Sequence, residues 1–315
     1  MLVDDINNSN SDSSPLLQMK GLRIEGLSDK GWQEIVCGID LQLNRGEILG
    51  LIGESGAGKS TIGLAAMGFA RDGCRITEGE INFDGIELGK APEWQKRKLR
   101  GTRISYVAQS AAAAFNPAHR LINQFTEGPV DHDLLSEAKA KEKGRALYRS
   151  LDLPDPDYIG ERWPHQVSGG QLQRMMVAMS MSCEPDLIIF DEPTTALDVT
   201  TQIEVLKTIK EIVIDKNVAA IYITHDLAVV AQLADHLMVL RYGNLIEVNS
   251  TGQILKSPKQ EYTRNLLDAR SRNEKITAQI PNPKTLLSVE SVTAGYGKGP
   301  DILQDVSILV EKGRT

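Results

Sequence analysis

The chain has 315 residues, of which 41% are hydrophobic and 24% charged, and it carries a net charge of −7. This composition predicts a globular protein and excludes a chain that is disordered throughout. The negative charge provides no general attraction for nucleic acid or anionic lipid. Because the apolar runs are strand-sized and the polar N-terminus lacks the features of a secretion signal, we expect no membrane span and a cytoplasmic location. The three cysteines are widely spaced, which argues against a metal site or a disulfide framework.

Strand-like and helical stretches alternate along most of the chain. Residues 1–15 are polar and aperiodic and predict a disordered tail. From Leu16 onward, the alternation predicts an α/β fold with a partly parallel sheet. Between Gln109 and Ser168 the strand signal stops, which predicts an inserted helical subdomain at about 110–170. Besides a helix from Lys59, the predicted strands are LLQMKGLRI, GEILGLIG, GEINFDG, RISYVAQ, DLIIFDE, AAIYITH and HLMVLRYGNLIEV.

A glycine-rich segment, GESGAGKST, follows the second of these strands and precedes a helix. It has the phosphate-loop pattern G-x-x-x-x-G-K-[ST] in the required context, in which backbone N–H groups surround a phosphate. Lys59 is predicted to reach the β- and γ-phosphates of a nucleotide, and Ser60 to bind Mg²⁺. A glycine-rich turn without function is the alternative. The predicted cofactor-binding residues of the loop are Gly53, Glu54, Ser55, Gly56, Ala57, Gly58, Lys59, Ser60 and Thr61.

The segment VSGGQLQR begins a predicted helix that runs on through MMVAMSMS. Ser168 can cap this helix, and the glycines beside it leave backbone N–H groups open to an anion. A Ser-Gly-Gly helix start is often only a cap. If the segment binds the cofactor, the predicted binding residues are Ser168, Gly169, Gly170 and Gln171.

An apolar strand, LIIFDE, ends in two acidic residues. A buried strand of this kind brings carboxylates to the carboxyl edge of a sheet. A strand followed by two acidic residues is usually only a strand that enters a loop. Beside a phosphate loop, however, it predicts that Asp191 holds Mg²⁺, directly or through water, and that Glu192 accepts a proton from, or orients, the attacking water.

The last thirty residues resemble the start of the predicted domain. LLSVESVTAGYGKGPDILQDVSILVEKG matches LLQMKGLRIEGLSDKGWQEIVCGIDLQLNRG with an offset of 270 at the start and 267 at the end. Chance similarity between two β-rich starts is the alternative, but order, spacing and the closing basic-Gly pair agree. We therefore predict a domain at 16–270, a proline-containing linker at 271–285 and the truncated start of a second, similar domain at 286–315.

The phosphate loop, VSGGQ, LIIFDE, ALD and THD occur in the order found in ABC ATPases, and from Leu16 to about Arg270 the chain resembles that family. The resemblance implies a P-loop NTPase fold of the ABC type, with an antiparallel β portion beside the α/β core and the helical subdomain. It also implies MgATP hydrolysis. Two such domains would pack head to tail, each ATP lying between the phosphate loop of one domain and the VSGGQ of the other.

The same resemblance implies roles for single residues. Gln109 would sense Mg²⁺ and the membrane partner, His225 would be the γ-phosphate switch, and Asp198 would lie at the interface between domains. The aromatic residue that stacks on adenine in many members has Tyr296 as its candidate in the second copy. The first copy has Gly26 at that position, and Trp32 is a candidate from the same loop, with an ordinary exposed tryptophan as the alternative.

FNPAHR, WPHQVSGGQLQR, CEPDLIIFDEPTTALDVT and QEYTRNLL are similar to the oligopeptide, dipeptide and nickel importer branch of the family. This resemblance implies permease subunits and a solute-binding protein as partners, on the inner face of the cell membrane. One alternative is a soluble ABC protein acting on ribosomes or DNA, but the sequence has no long charged linker, zinc cluster or coiled-coil arms. Another is a domain that binds ATP without turnover, although Glu192, His225 and VSGGQ are intact.

Overall fold

The computed structural model describes residues 14–194, 199–271, 284–295 and 301–312. The chain divides into two compact units between Leu267 and Asp268. Most of the predicted tail and linker lies outside the described residues. Within the described part, no helix combines the length and the apolar character that a bilayer span requires.

The strands of the first unit form two sheets, and the second unit contains one strand pair. The strands are β1 (Leu17–Ser28), β2 (Gly31–Leu43), β3 (Ile48–Ile52), β4 (Cys74–Phe83), β5 (Ile86–Glu87), β6 (Ile104–Val107), β7 (Leu187–Asp191), β8 (Ala219–Thr224), β9 (His236–Arg241), β10 (Asn244–Ser250), β11 (Thr285–Gly295) and β12 (Asp301–Glu311). The sequence runs identify β1, β3, β4 and β6 to β9, whereas β2 and the short β5 are not among them.

Helices connect the strands and form the predicted insertion. They are α1 (Lys59–Ala65), α2 (Glu93–Leu99), α3 (Ala111–Ala114), α4 (Leu121–Asp131), α5 (Glu137–Ser150), α6 (Gly169–Ser180), α7 (Val199–Lys216), α8 (Leu227–Leu233), α9 (Thr251–Lys256) and α10 (Glu261–Ser271), with 3₁₀ turns at Ile159–Glu161 and Pro164–Gln166. All the secondary-structure elements described between β6 and β7 are helices or 3₁₀ turns, which confirms the inserted helical region.

The larger sheet has the strand order β10-β9-β3-β8-β7-β6, and all its neighbouring strands are parallel except β10 and β9. Its inner strands are buried on both faces, which explains their continuous apolar sequence. The run HLMVLRYGNLIEV is two strands and not one. Tyr242 (φ 48°) and Gly243 (φ 77°) reverse the chain between them, since left-handed residues suit a tight hairpin.

The smaller sheet is antiparallel, with the order β2-β1-β4-β5, as the family resemblance implies. One hydrophobic core lies between the two sheets and includes Leu17, Leu51 and Ile189. A second core, which includes Ile188 and Phe190, joins the larger sheet to the helical insertion. Adjacent residues of β7 thus face different cores, because side chains alternate along a strand.

Four charged side chains connect the edges of the two sheets. Arg45 follows β2 and Asp84 follows β4, while Arg103 precedes β6 and Asp186 precedes β7. Each arginine pairs with both aspartates, at N···O distances of 2.5–3.2 Å. The hydrogen bond from Arg103 is the main cause that lowers the pKa of Asp84. Because both signs of charge alternate around this group, it stabilises the contact between the sheets without unpaired charge.

The second unit consists of β11 and β12, which pair antiparallel. Its register repeats that of β1 and β2 with the offsets found in the sequence, and both pairs shift register at the equivalent place, after Met19 and after Val289. The equivalent partners are Leu17↔Leu43 and Leu287↔Val310, Met19↔Leu41 and Val289↔Ile308, Leu22↔Ile39 and Val292↔Val306. The sequence similarity is therefore accompanied by the same backbone pairing.

Candidate functional site

Four neighbouring parallel strands place the predicted site residues at one sheet edge. In the spatial order β3-β8-β7-β6, their carboxyl ends lead into the phosphate loop, His225, Glu192 and Gln109. Parallel strands all present their carboxyl ends at the same edge, so residues distant in sequence meet there. Asp226 caps α8 by accepting a hydrogen bond from the Ala228 N–H at 2.7 Å, and this cap determines where the loop carrying His225 ends.

These residues enclose a cavity of about 630 Å³. Its lining residues are Ile35, Ser55, Gly56, Ala57, Gly58, Lys59, Ser60, Thr61, Gln109, Asp191, Glu192 and His225. The structure thus brings together the three predicted catalytic residues, the predicted magnesium ligands and most of the phosphate loop. Ile35 is a lining residue that the sequence analysis missed; it lies on β2, which is not among the predicted strands.

Lys59 is the buried cation of this cavity, with 6% of its surface exposed. Its Nζ donates to the carbonyl oxygens of Gly53 at 2.8 Å and Glu54 at 2.9 Å. Burial lowers the pKa of Lys59, while the carboxylates of Glu192 and Asp191 oppose that shift. Gly53 must be glycine, because a Cβ there would lie 2.2 Å from the Leu240 carbonyl oxygen. The loop after β3 therefore holds the Lys59 ammonium group at the cavity, where it can bind a phosphate.

Ser60 and Asp191 form the part of the cavity that suits a divalent cation. The Ser60 hydroxyl donates to Asp191 Oδ1 at 2.8 Å, and Asp191 is only 5% exposed. One hydroxyl and one carboxylate are hard oxygen donors, which fit Mg²⁺ when phosphate and water complete its coordination. The described residues contain no group of three or more His, Cys, Asp or Glu side chains that could hold a metal ion unaided. The residues present thus fit Mg²⁺ bound together with a phosphate ligand.

Glu192 is held from both sides. Gln109 Nε2 donates to Glu192 Oε2 at 3.1 Å, and His225 Nδ1 lies 3.0 Å from Glu192 Oε1. The backbone of Glu192 is left-handed (φ 49°), and its N–H donates to the Ile223 carbonyl at 2.9 Å. A left-handed glutamate is uncommon and requires support from its surroundings. The carboxylate is consequently oriented towards the cavity, where it can accept a proton from a water molecule.

The predicted VSGGQ residues lie elsewhere in the described structure, outside the cavity lining. Ser168 is exposed and caps α6: its hydroxyl accepts from the Gln171 N–H at 3.3 Å, and Gln171 Oε1 accepts from the Ser168 N–H at 3.0 Å. This reciprocal capping box confirms the helix-start reading. Gly169 is exposed too, while a Cβ on Gly170 would lie 2.7 Å from Thr201 Cγ2.

The predicted adenine contact is not in the described cavity lining. Trp32 lies on β2, where the Arg75 guanidinium stacks over its ring at 4.1 Å. Its contact with adenine stays a prediction. Asp198 lies outside the described residues, and so does Tyr296.

The chain is similar to a known family and to several known proteins. Residues 36–195 match the model of the ABC transporter family. Oligopeptide transport ATP-binding protein OppD of Lactococcus lactis is 37% identical over 85% of this chain and 80% of its own length. Probable D,D-dipeptide transport ATP-binding protein DdpD of Escherichia coli is 37% identical over 81% and 78%. The chain also matches 42% of the length of glutathione import ATP-binding protein GsiA of Salmonella choleraesuis, at 37% identity.

Among solved structures, the dimeric post-hydrolysis state of the ATP-binding cassette MJ0796 bound to ADP and Pi has a TM-score of 0.67 over 75% of this chain and 98% of its own. At 21% identity this likeness concerns the fold alone. The fold, the family match and the relatives together give one result: the chain belongs to the ABC transporter family of ATP-binding proteins.

Proposed function

We propose that the chain hydrolyses ATP to energise an importer for peptides or a similar small solute. The observation that carries this proposal is the convergence of the phosphate loop, Asp191, Glu192, Gln109 and His225 on one cavity. Relatives named for oligopeptide transport, D,D-dipeptide transport and glutathione import support the solute class.

In this mechanism Lys59 neutralises charge on the β- and γ-phosphates of ATP, while the loop N–H groups bind the same oxygens. Ser60 and Asp191 would hold Mg²⁺ with Gln109 nearby, and the bound ion supplies further charge neutralisation. Glu192 orients the attacking water and accepts its proton, and Gln109 and His225 orient Glu192. His225, which lines the same cavity, would also act as the γ-phosphate switch that the family resemblance implies. Positioning and charge stabilisation supply most of the barrier reduction in phosphoryl transfer.

The exposed Ser168 helix start belongs, in this proposal, to the site of a second ABC domain. ATP is then bound between the phosphate loop of one domain and the VSGGQ of its partner, with Asp198 at their interface. The partner is a second domain of a longer chain or a second protein. Permease subunits, fed by a solute-binding protein, bind the pair at the inner face of the cell membrane.

The register of β11 and β12 supports the first of these possibilities, in which the partner is a second domain of a longer chain. In β1 and β2, the equivalent apolar side chains are buried under the rest of the domain; Leu17 has no exposed surface, whereas Leu287 is 53% exposed. An isolated two-stranded pair is only marginally stable, so these strands need the remainder of a domain to cover them. This exposure supports the proposal that residues 286–315 begin a second ABC domain after a linker at 271–285.

Mixing two inactive variants tests the shared site. Ser168→Arg and Glu192→Gln should each be nearly inactive alone, because every site then lacks a signature serine or a base. A mixed pair contains one site with both groups intact, so phosphate release should recover on mixing. Cross-linking with ATP present confirms that mixed pairs form. Normal turnover by Ser168→Arg alone would show that the signature does not act across the pair.

Purification from membranes tests the importer assignment. The tagged full chain, solubilised in mild detergent with ATP, should bring down membrane-spanning subunits in stoichiometric amounts, and their identity by mass spectrometry gives the transporter class. Recovery with ribosomal or DNA-bound components instead would contradict the proposal and favour a soluble ABC protein.

A further inference from the structure

Tyr106 contacts Asp191, the proposed magnesium ligand, and the mechanism above gives Tyr106 no role. Its hydroxyl donates to Asp191 Oδ2 at 2.5 Å, while Ser60 donates to Asp191 Oδ1. Tyr106 lies on β6, in register with Ile189 of β7, and its side chain therefore runs along β7 towards Asp191. Both carboxylate oxygens of a residue that is 5% exposed are thus hydrogen-bonded, one to the phosphate-loop helix and one to the neighbouring strand.

We propose that Tyr106 is a positioning residue for Asp191, holding its carboxylate in the orientation that a phosphate-bound Mg²⁺ requires. The inference rests on the proposed function, since it assumes that Asp191 and Ser60 hold the metal. Tyr106 acts through Asp191; it does not touch the nucleotide cavity, whose described lining omits it.

The surroundings of Tyr106 allow this role. Its ring packs against the core between the two sheets, which limits the movement of the hydroxyl. A packed phenol whose hydroxyl donates to Asp191 is a donor of defined direction. Without it, Asp191 Oδ2 would be buried with one partner fewer, and the carboxylate could rotate away from Ser60.

The test separates metal-dependent from metal-independent binding. We would measure the affinity of the full chain for a non-hydrolysable ATP analogue, once with Mg²⁺ and once with EDTA. Tyr106→Phe keeps the ring and removes only the hydroxyl. We expect its affinity in EDTA to equal that of the wild type, and the gain in affinity on adding Mg²⁺ to fall by about tenfold. Mn²⁺ with the analogue, followed by electron paramagnetic resonance, provides a second readout of the metal environment.

Two further variants complete the design. Tyr222→Phe is the matched control, because the hydroxyl of this buried tyrosine on β8 lies 3.2 Å from Thr194 Oγ1 and does not contact Asp191. The gain in nucleotide affinity on adding Mg²⁺ should be unchanged in this variant. In an Asp191→Asn background, Tyr106→Phe should have no additional effect on that gain, because the two residues act as one unit.

Three results would overturn the inference. If Tyr106→Phe lowers affinity equally in Mg²⁺ and EDTA, the hydroxyl serves the loop as a whole and not the metal. If the Mg²⁺-dependent gain is unchanged or larger, Asp191 needs no positioning. If the wild type itself gains nothing from Mg²⁺, the proposed metal site is wrong, and the inference fails together with that part of the proposed function.

Discussion

Glu192→Gln should bind ATP as the wild type does and hydrolyse it about 10²–10⁴-fold more slowly. Glutamine keeps the length of the side chain and one acceptor oxygen, but it cannot take a proton from water. Binding should persist because Lys59 and the loop N–H groups, which contact the phosphates in the proposed mechanism, are unchanged. Steady-state phosphate release and equilibrium binding of labelled ATP measure the two quantities separately.

Glu211→Gln is the matched control for this substitution. Glu211 is an exposed residue of α7, 3.8 Å from Lys207, and the same chemical change there should leave phosphate release unaltered. Near-normal turnover by Glu192→Gln would place the general base elsewhere. A loss of ATP binding would instead assign Glu192 to the stability of the loop, which its left-handed backbone and two side-chain contacts make a real alternative outcome.

Lys59→Ala should lose ATP affinity by about 10–100-fold, the range expected for removing a charge-assisted hydrogen bond. The ammonium is the buried cation of the cavity, and alanine leaves the phosphate charge uncompensated. It also leaves the carbonyl oxygens of Gly53 and Glu54 without their present donor. Titration with a fluorescent ATP analogue measures the affinity, and thermal unfolding shows whether the variant is folded.

Lys20→Ala provides the comparison for Lys59→Ala. Lys20 is an exposed residue of β1, and removing its charge should change neither ATP affinity nor the melting temperature appreciably. A folded Lys59→Ala variant with wild-type affinity would refute the assignment of Lys59 to the phosphates. If Lys59→Ala does not fold, the affinity is measured on Lys59→Met instead, because methionine keeps the apolar stem of the side chain and removes the charge.

The local sequence was sufficient to identify the elements that carry the site. GESGAGKST specifies a glycine loop and the start of a helix directly after a strand, and Ser168 specifies a helix cap, so neighbouring residues alone decide these features. The same is true of the buried strand ending at Asp191 and of the helical insertion. The strands β9 and β10 form one continuous run in the sequence, because the turn between them depends on the left-handed backbone of Tyr242 and Gly243.

Only the tertiary structure decided which of these elements meet. The strand order β3-β8-β7-β6 results from pairing between segments far apart in the chain, and it places Gln109 and His225 on either side of Glu192. The contact of Tyr106 with Asp191 depends in the same way on the register of two strands that are far apart in the chain. Arg75 stacks on the ring of Trp32 only because β4 pairs with β1. Local patterns determine an element and its loop, whereas side-chain contacts depend on register and packing, which are set by the whole chain.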